Sequence, residues 1–143
     1  KINIGILRIF STFGPGLKRQ VIFKTIKKIK TKNNFTMHGS GDEKRDFGYV
    51  DDQIKSIILL SKKIKKPSGD IYNIASGNAY SIKDIVNRLV KISKKKVIYS
   101  FNKKRRSFDN EYYIADKSKI NKTIGFKKYT NINKALKKTF DSY

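Results

Sequence analysis

"INIGILRIFSTFGPGLKRQVIFKTIKKIK", from Ile2 to Lys30, decides the fold class of this 143-residue chain. Isoleucine and leucine occupy both even-numbered and odd-numbered positions at the start of this stretch. This pattern is typical of a strand buried on both faces of a parallel sheet. "FGPG", from Phe13 to Gly16, breaks that strand, because proline fixes its φ and glycine allows geometries that other residues avoid. Apolar residues at helical spacing follow. Strand, turn and helix in this order predict an α/β architecture.

The rest of the chain continues to alternate short strands with helices. "FTMHG", "FGYV", "IYNIA" and "KKVIYSF" are predicted strands. Helices are expected through Ile54 to Ile64, from Ser81 onward, over 118–124 and over about 130–143. Asp51 or Asp52 is expected to cap the first of these, and Ser81 with Asp84 forms a capping-box pattern at the start of the second. We see no repeat and no domain break, so 1–143 is interpreted as one partial domain.

The opening strand also predicts a missing neighbour. A strand buried on both faces needs strands or helices around it, and nothing precedes this one in the sequence. We therefore expect further protein on its N-terminal side. Residues 1–16 are interpreted as a late strand and turn of a larger sheet, and residues 17–143 as the region that follows it.

The composition sets limits on function. The formal net charge is +23, yet only six of the 34 basic residues are arginines, and the lysines are spread over every segment. We interpret this as a solvated, compositionally biased surface; the alternative is a non-enzymatic basic module that binds nucleic acid or other polyanions. Cysteine is absent, which excludes disulfides and thiolate metal sites. No apolar run approaches the roughly 18 residues that span a bilayer, and we expect a cytoplasmic protein with no membrane partner.

Arginine is therefore notable in "GSGDEKRDFGYVDD", Gly39 to Asp52, where Arg45 follows a glycine turn. A guanidinium offers a planar fork of donors that matches a phosphate, whereas an ammonium is a point charge. His38 is the single histidine, so no histidine-based metal cluster exists. Asp46 and Tyr49 are interpreted as structural supports of the turn and the sheet.

Five collinear stretches then resemble one family over nearly the whole chain. They are "LRIFSTFGPG", "GSGDEKRDFGYVDD", "GDIYNIASGNAYSIKDI", "RSFD" and "ADKSKINKTIGF". In order and spacing they are similar to the C-terminal half of the extended short-chain dehydrogenase/reductases, the family of UDP-glucose 4-epimerase and the nucleotide-sugar dehydratases. The resemblance implies an α/β, substrate-binding C-terminal portion with a late Rossmann strand, whose N-terminal Rossmann domain is missing.

The resemblance also implies which residues bind what. Arg45 and Arg106 match the family's diphosphate-binding arginines, although Arg105 beside Arg106 is an alternative, and Asp109 matches the acidic residue near the ribose hydroxyls. Ser11 stands where the family usually has an asparagine that reaches the substrate phosphate, which leaves the substrate subclass open. Phe10 and Pro15 match positions on the nicotinamide side of the cleft; a buried aromatic and a turn proline explain these two equally well.

The cofactor and the catalytic pair are expected outside these residues. NAD or NADP would be held by the other half, since neither Gly14-Pro15-Gly16 nor Gly39-Ser40-Gly41 continues to a third glycine. The family's catalytic tyrosine and lysine lie four positions apart on a helix. Tyr99 with Lys103 and Tyr113 with Lys117 have that spacing, but they fall at a strand end or a loop, and we interpret both as coincidence.

The resulting prediction is the substrate-binding part of an NAD(P)-dependent nucleotide-sugar epimerase or dehydratase. By resemblance the complete enzyme takes a nucleotide sugar, is a homodimer and serves the synthesis of bacterial surface-polysaccharide precursors. The fragment itself is expected to be inactive. A degenerate remnant with no binding is a further alternative that the sequence leaves open.

Overall fold

The computed structural model describes residues 2–65, 69–104, 111–126 and 128–143. Their helices are α1 (Gln20–Thr31), α2 (Val50–Ser61), α3 (Ile82–Ser93), α4 (Ser118–Ile124) and α5 (Ile132–Asp141). Their strands are β1 (Gly5–Ile9), β2 (Thr12–Phe13), β3 (Asn34–Met37), β4 (Lys44–Asp46), β5 (Gly48–Tyr49), β6 (Asp70–Ile74), β7 (Ala79–Ser81), β8 (Ile98–Phe101) and β9 (Tyr112–Tyr113). All predicted helices are present, and the α/β class is confirmed.

The predicted N-terminal cap is present at α3 and absent at α2. At α3 the Ser81 hydroxyl accepts the Asp84 N–H at 2.9 Å and the Asp84 carboxylate accepts the Ser81 N–H at 3.3 Å, so the predicted capping box is confirmed. The predicted aspartate cap of α2 is wrong, because that helix already begins at Val50. Asp52 instead accepts the Thr130 N–H at 2.7 Å and the Thr130 hydroxyl at 2.9 Å, which ties α2 to the segment before α5.

Four small sheets, as far as the described residues show, connect distant parts of the chain. β1 pairs with β6, β2 with β5 and β3 with β8, each in parallel, and β4 lies between β7 and β9. α3 packs between α1 and α5 over the main core, which includes Ile26, Leu89 and Leu136 with at most 1% exposure. This core supports β3 and β8.

The described residues cover the opening strand on one of its two faces. β1 is a strand of a parallel sheet, as predicted, and its Leu7 side faces a second core with Tyr72 and Ile74. On the opposite face Ile6 is 48% exposed and its neighbour Ile71 is 39% exposed. The described residues therefore cover this strand on the Leu7 side, where α2 and α4 pack beside β6, and burial of the Ile6 side stays a prediction.

None of the helices in the described part of the chain has the length and apolar character needed to cross a bilayer.

Candidate functional site

Arg45 lies at the middle of the three-stranded sheet. It is the central residue of β4, opposite Tyr80 of the antiparallel strand β7 and opposite Tyr113 of the parallel strand β9. Its Nη1 donates to the Lys44 carbonyl at 2.8 Å. Strands on both sides fix the backbone here, so the guanidinium projects from a rigid element and not from a mobile loop.

The Arg45 side chain lines a cavity of about 450 Å³ between α1 and the end of β3. Lys24 and Lys28 of α1 also line the cavity. Among the described residues that line it, Glu43 is the acidic one. The other lining residues are Gln20, Val21, Met37, His38, Gly39 and Ile82. Three cations around a partly apolar hollow suit an organic anion, with the phosphate near the cations and a flat apolar part against Val21 and Met37.

The glycine turn before Arg45 is already filled by a carboxylate from the same chain. Gly39 and Gly41 have φ values of +92° and +90°, in the left-handed region that favours glycine. Glu43 accepts the Ser40 N–H at 3.0 Å and the Gly41 N–H at 2.9 Å. These N–H groups are therefore satisfied internally, and the turn does not offer them to a phosphate. Any anion in the cavity must be held by side chains.

The charge state of Glu43 controls this turn. Burial favours the neutral carboxyl, but the hydrogen bonds from Ser40 and Gly41 outweigh it, so the pKa of Glu43 lies below its usual range. A lowered folded-state pKa means that the unfolded chain binds more protons in the acidic range. The contribution of the Glu43 carboxylate to the free energy of unfolding is thus complete above the ordinary glutamate pKa. It is lost as the pH falls through the folded-state pKa.

Glu43→Gln tests whether the charge of Glu43 stabilises the glycine turn. We expect the variant to lose about 1 to 2 kcal/mol of unfolding free energy at pH 7, because the amide keeps one acceptor and no charge. The difference from the parent should shrink on acidification below pH 4.5, the ordinary pKa of the group. Urea denaturation at several pH values measures the loss of unfolding free energy and its change with pH. Asp42→Asn is the control, because Asp42 is exposed. A difference that is constant with pH would contradict the assignment.

Asp46, next to Arg45, is the structural anchor of the site, as predicted. It is fully buried and accepts the Ser76 N–H at 2.8 Å, the Ser76 hydroxyl at 2.7 Å and the Gly77 N–H at 3.0 Å. It also accepts the Ala115 N–H at 3.3 Å. One carboxylate therefore joins β4 to the loop after β6 and to the segment after β9, which fixes the two chain segments that flank Arg45.

The structure brings Phe10 and Ser11 towards the Arg45 strand. The Phe10 ring stacks on Tyr113, with centroids 5.0 Å apart, and Tyr113 is the residue opposite Arg45. The Ser11 carbonyl accepts the Gly48 N–H at 2.9 Å, which fastens the end of β1 to the residues after β4. Tyr113, 48% exposed, was not predicted as a site residue, and its sequence context gave no signal beyond its place after "RSFD". Pro15 lies exposed in the turn after β2.

Two predicted site residues, Arg106 and Asp109, lie outside the residues that the structure describes, as does the alternative Arg105. Their roles remain predictions.

The two Tyr-x-x-x-Lys pairs lie outside helices, as expected of coincidences. Tyr99 belongs to β8 and donates to Asn87 at 2.5 Å, whereas Tyr113 belongs to β9. The Lys117 ammonium donates to the Ser76 carbonyl and lies 3.5 Å from the centroid of the Tyr129 ring. Burial lowers the pKa of Lys117 although Asp46 and Asp52 oppose that shift. This lysine holds the loop after β6 and serves the structure.

A second hollow, of about 550 Å³, lies between α3 and α5 and is lined by Asn87, Arg88, Lys91, Ile92, Lys94, Asn133 and Lys137. It is the larger of the two, but the residues predicted for the site do not line it. Arg88 donates to Asn133 at 2.5 Å there and packs over the Tyr80 ring. We therefore place the candidate site at the Arg45 cavity, where the guanidinium predicted from the sequence lies.

A known protein family matches about half of this chain. Residues 1–75 match the profile of the NAD dependent epimerase/dehydratase family. The chain belongs to that family. A relative, the UDP-glucuronate 4-epimerase of Thermodesulfobacterium geofontis, is 30% identical over 141 residues, which are 96% of this chain and 42% of the relative. The human dTDP-D-glucose 4,6-dehydratase is 30% identical over 95 residues, 66% of this chain and 27% of that enzyme.

A solved structure covers almost the whole fold. The UDP-glucuronic acid 4-epimerase of Bacillus cereus, in complex with UDP-glucuronic acid and NAD, superposes with a TM-score of 0.88 at 29% identity. The match includes 99% of this chain and 45% of that one. The chain thus spans less than half the length of these relatives. The extended short-chain dehydrogenase/reductase resemblance is confirmed, and the non-enzymatic nucleic-acid module gains no support.

The described residues do not form the glycine-rich turn that binds the pyrophosphate of a dinucleotide cofactor. Neither glycine pair continues into a dinucleotide fingerprint, and the Gly39 to Gly41 turn has its amides bound by Glu43. We therefore derive no chemistry for NAD from this chain.

Proposed function

We propose that this chain is the substrate-binding, C-terminal part of an NAD(P)-dependent nucleotide-sugar epimerase or dehydratase, and that it holds the nucleotide diphosphate of the sugar substrate. The observation that supports it is the position of Arg45 on a fixed central strand, lining a cationic cavity of nucleotide size. In this proposal residues 1–16 contribute a late strand of the Rossmann sheet, and residues 17–143 form the nucleotide-sugar-binding region.

The roles follow from the chemistry of the side chains. Arg45 donates a forked pair of hydrogen bonds to the diphosphate, and Arg106 and Asp109 are proposed for the second phosphate contact and the ribose. Ser11 is proposed to reach the phosphate through water, because its side chain is shorter than asparagine. Phe10 is proposed to face the cofactor side, where its stack on Tyr113 gives it a fixed orientation. The same role proposed for Pro15 is supported only by the resemblance.

The reaction belongs to the complete enzyme. In that enzyme a bound nicotinamide would supply the hydride chemistry at a sugar carbon. This chain contributes binding and orientation, and we expect no turnover when it is mixed with NAD and a sugar nucleotide. Measurable oxidation or epimerisation by the chain alone, followed by NADH absorbance and by chromatography, would refute the proposal.

UDP binding tests the proposal directly, since several relatives carry UDP sugars in their names. We expect weak binding of UDP to the chain, and a loss of about 10 to 150 fold in affinity for Arg45→Ala, or about 1.5 to 3 kcal/mol for one charged hydrogen-bond partner. Arg88→Ala is the matched control, since it removes another half-exposed arginine that lines the other hollow. Equal UDP affinity in the parent and in Arg45→Ala would remove Arg45 from the site.

A further inference from the structure

The hollow between α3 and α5, which we call the α3–α5 hollow, carries one sign of charge. Its basic lining residues are Arg88 and Lys91 of α3, Lys94 just after it, and Lys137 of α5. Among the residues that the structure describes, no acidic side chain lines this hollow, whereas Glu43 lines the Arg45 cavity. Cations from two helices around one concave surface concentrate positive potential there, and a multiply charged anion is the ligand that such a surface attracts.

The two asparagines of the α3–α5 hollow add hydrogen-bond donors. The Tyr99 hydroxyl donates to Asn87 Oδ1 at 2.5 Å, and Arg88 Nη1 donates to Asn133 Oδ1 at 2.5 Å. Each amide oxygen is thus engaged within the chain, and the NH2 group, which only donates, is the part of each side chain left to bind a ligand. The hollow therefore offers donors together with cations, and phosphate oxygens accept from both.

The orientation of these amides is fixed by the rest of the fold. The Arg88 guanidinium packs over the Tyr80 ring, 5.4 Å from its centroid. Tyr99 lies in β8, and burial, together with the charge of Asp84, raises the pKa of its hydroxyl, which therefore stays protonated and continues to donate. The two amides are held in place before a ligand arrives, so binding an anion costs little ordering of these side chains.

The cations of α3 are not neutralised by carboxylates of the chain. Arg88 and Lys91 are three positions apart on α3, where like charges repel each other. Within the described ranges Lys91 and Lys94 have no carboxylate at ion-pair distance, while Lys137 pairs with Asp141 at 2.5 Å. An anion in the hollow would relieve this repulsion and would find Lys91 and Lys94 available.

We infer that the α3–α5 hollow is a binding site for an oligophosphate, an anion in which several phosphates are linked in a chain. Its volume of about 550 Å³ exceeds what a single phosphate fills, and four cations match the charge of a chain better than that of one phosphate. The two amide NH2 groups donate to phosphate oxygens between the basic side chains. The inference goes beyond the proposed function and does not depend on it.

The lining residues distinguish this ligand from UDP. Val21 and Met37 give the Arg45 cavity apolar surface for a base, and Glu43 repels additional negative charge there. The α3–α5 hollow has Ile92 as its apolar contribution among the described lining residues, and no carboxylate. A nucleoside diphosphate therefore favours the Arg45 cavity, and a longer phosphate chain favours the α3–α5 hollow.

Calorimetric titration of the chain with tripolyphosphate, at physiological ionic strength, tests the site. Asn133→Asp keeps an acceptor for Arg88, and so the local structure, but replaces the NH2 donor by a negative charge. We expect it to weaken tripolyphosphate binding by at least about tenfold. Asn131→Asp is the matched control, because it makes the same change of charge at the N-cap of α5, where aspartate still accepts the Asn133 N–H, and it does not line the hollow. Its affinity should change by at most about threefold.

A pair of neighbouring lysines on α5 provides a second comparison. Lys137 lines the α3–α5 hollow and Lys138 does not, although both are exposed. Lys137→Gln should weaken tripolyphosphate binding by at least about threefold, and Lys138→Gln, which removes the same charge, should leave the affinity nearly unchanged. Both variants keep a long polar side chain on the helix surface, so their folding should match that of the parent.

Three results would overturn the inference. They are no tripolyphosphate binding to the parent, equal losses in the two members of either pair, and a loss in Arg45→Ala that exceeds the loss in Asn133→Asp. ATP identifies the source of the phosphate chain in a site that passes these tests: tighter binding of ATP than of tripolyphosphate assigns a chain carried on a nucleoside, and any other order assigns the inorganic chain. UDP affinity that does not respond to Arg45→Ala would defeat the proposed function and leave this site standing.

Discussion

Asp46→Ala should destabilise the chain by about 3 to 5 kcal/mol, the largest effect that we expect from any single substitution. The side chain is fully buried and accepts four hydrogen bonds, from Ser76, Gly77 and Ala115. Alanine leaves buried N–H groups without acceptors, and each such group costs about 1 to 3 kcal/mol. The loop after β6 and the segment after β9 would lose their shared anchor.

Urea denaturation measures this loss. Asp42→Ala is the matched control, because Asp42 is an exposed aspartate in the same segment and should change the unfolding free energy by no more than about 0.5 kcal/mol. Asp46→Asn should recover part of the loss, since the amide oxygen still accepts. A change below 1 kcal/mol in Asp46→Ala, about the worth of one ordinary hydrogen bond, would show that the carboxylate is not the anchor.

Leu89→Ala should cost about 2 to 5 kcal/mol, because it removes a fully buried side chain from the centre of α3 and leaves a cavity. α3 packs against both α1 and α5, so the void lies where the three helices meet. The lining of the Arg45 cavity includes residues of α1, and we expect UDP binding to weaken through this loss of packing.

Thermal or urea denaturation gives the stability change, and Ile98→Ala is the control, since its side chain is 72% exposed. The control should lie within about 0.5 kcal/mol of the parent. If Leu89→Ala and Ile98→Ala had the same small effect, α1, α3 and α5 would not share one core.

The helices were predictable because their signals are local. Apolar residues at helical spacing predicted the first three helices, and the start of α3 follows from a serine and an aspartate three positions apart. The start of α2 was misplaced for a tertiary reason. Asp52 has the chemistry of a cap, but its carboxylate binds Thr130, 78 positions along the chain, and such a partner leaves no mark in the surrounding residues.

The candidate site was predictable only in part. Arg45 stood out as an arginine in a lysine-rich chain, but β4 itself was not predicted, since "KRD" has no apolar alternation and forms a strand only between β7 and β9. Lys24 and Lys28 could not be selected from so many lysines, because the cavity that distinguishes them is made by distant elements. The position of Tyr113 opposite Arg45 is likewise a product of strand register.

The central claim, that Arg45 holds a diphosphate, is tested most directly by comparing UDP with uridine on the parent chain and on Arg45→Ala by calorimetric titration. We predict that the parent binds UDP at least about tenfold more tightly than uridine, and that Arg45→Ala loses most of this preference while its uridine affinity is unchanged. An equal preference for UDP in both proteins would contradict the claim.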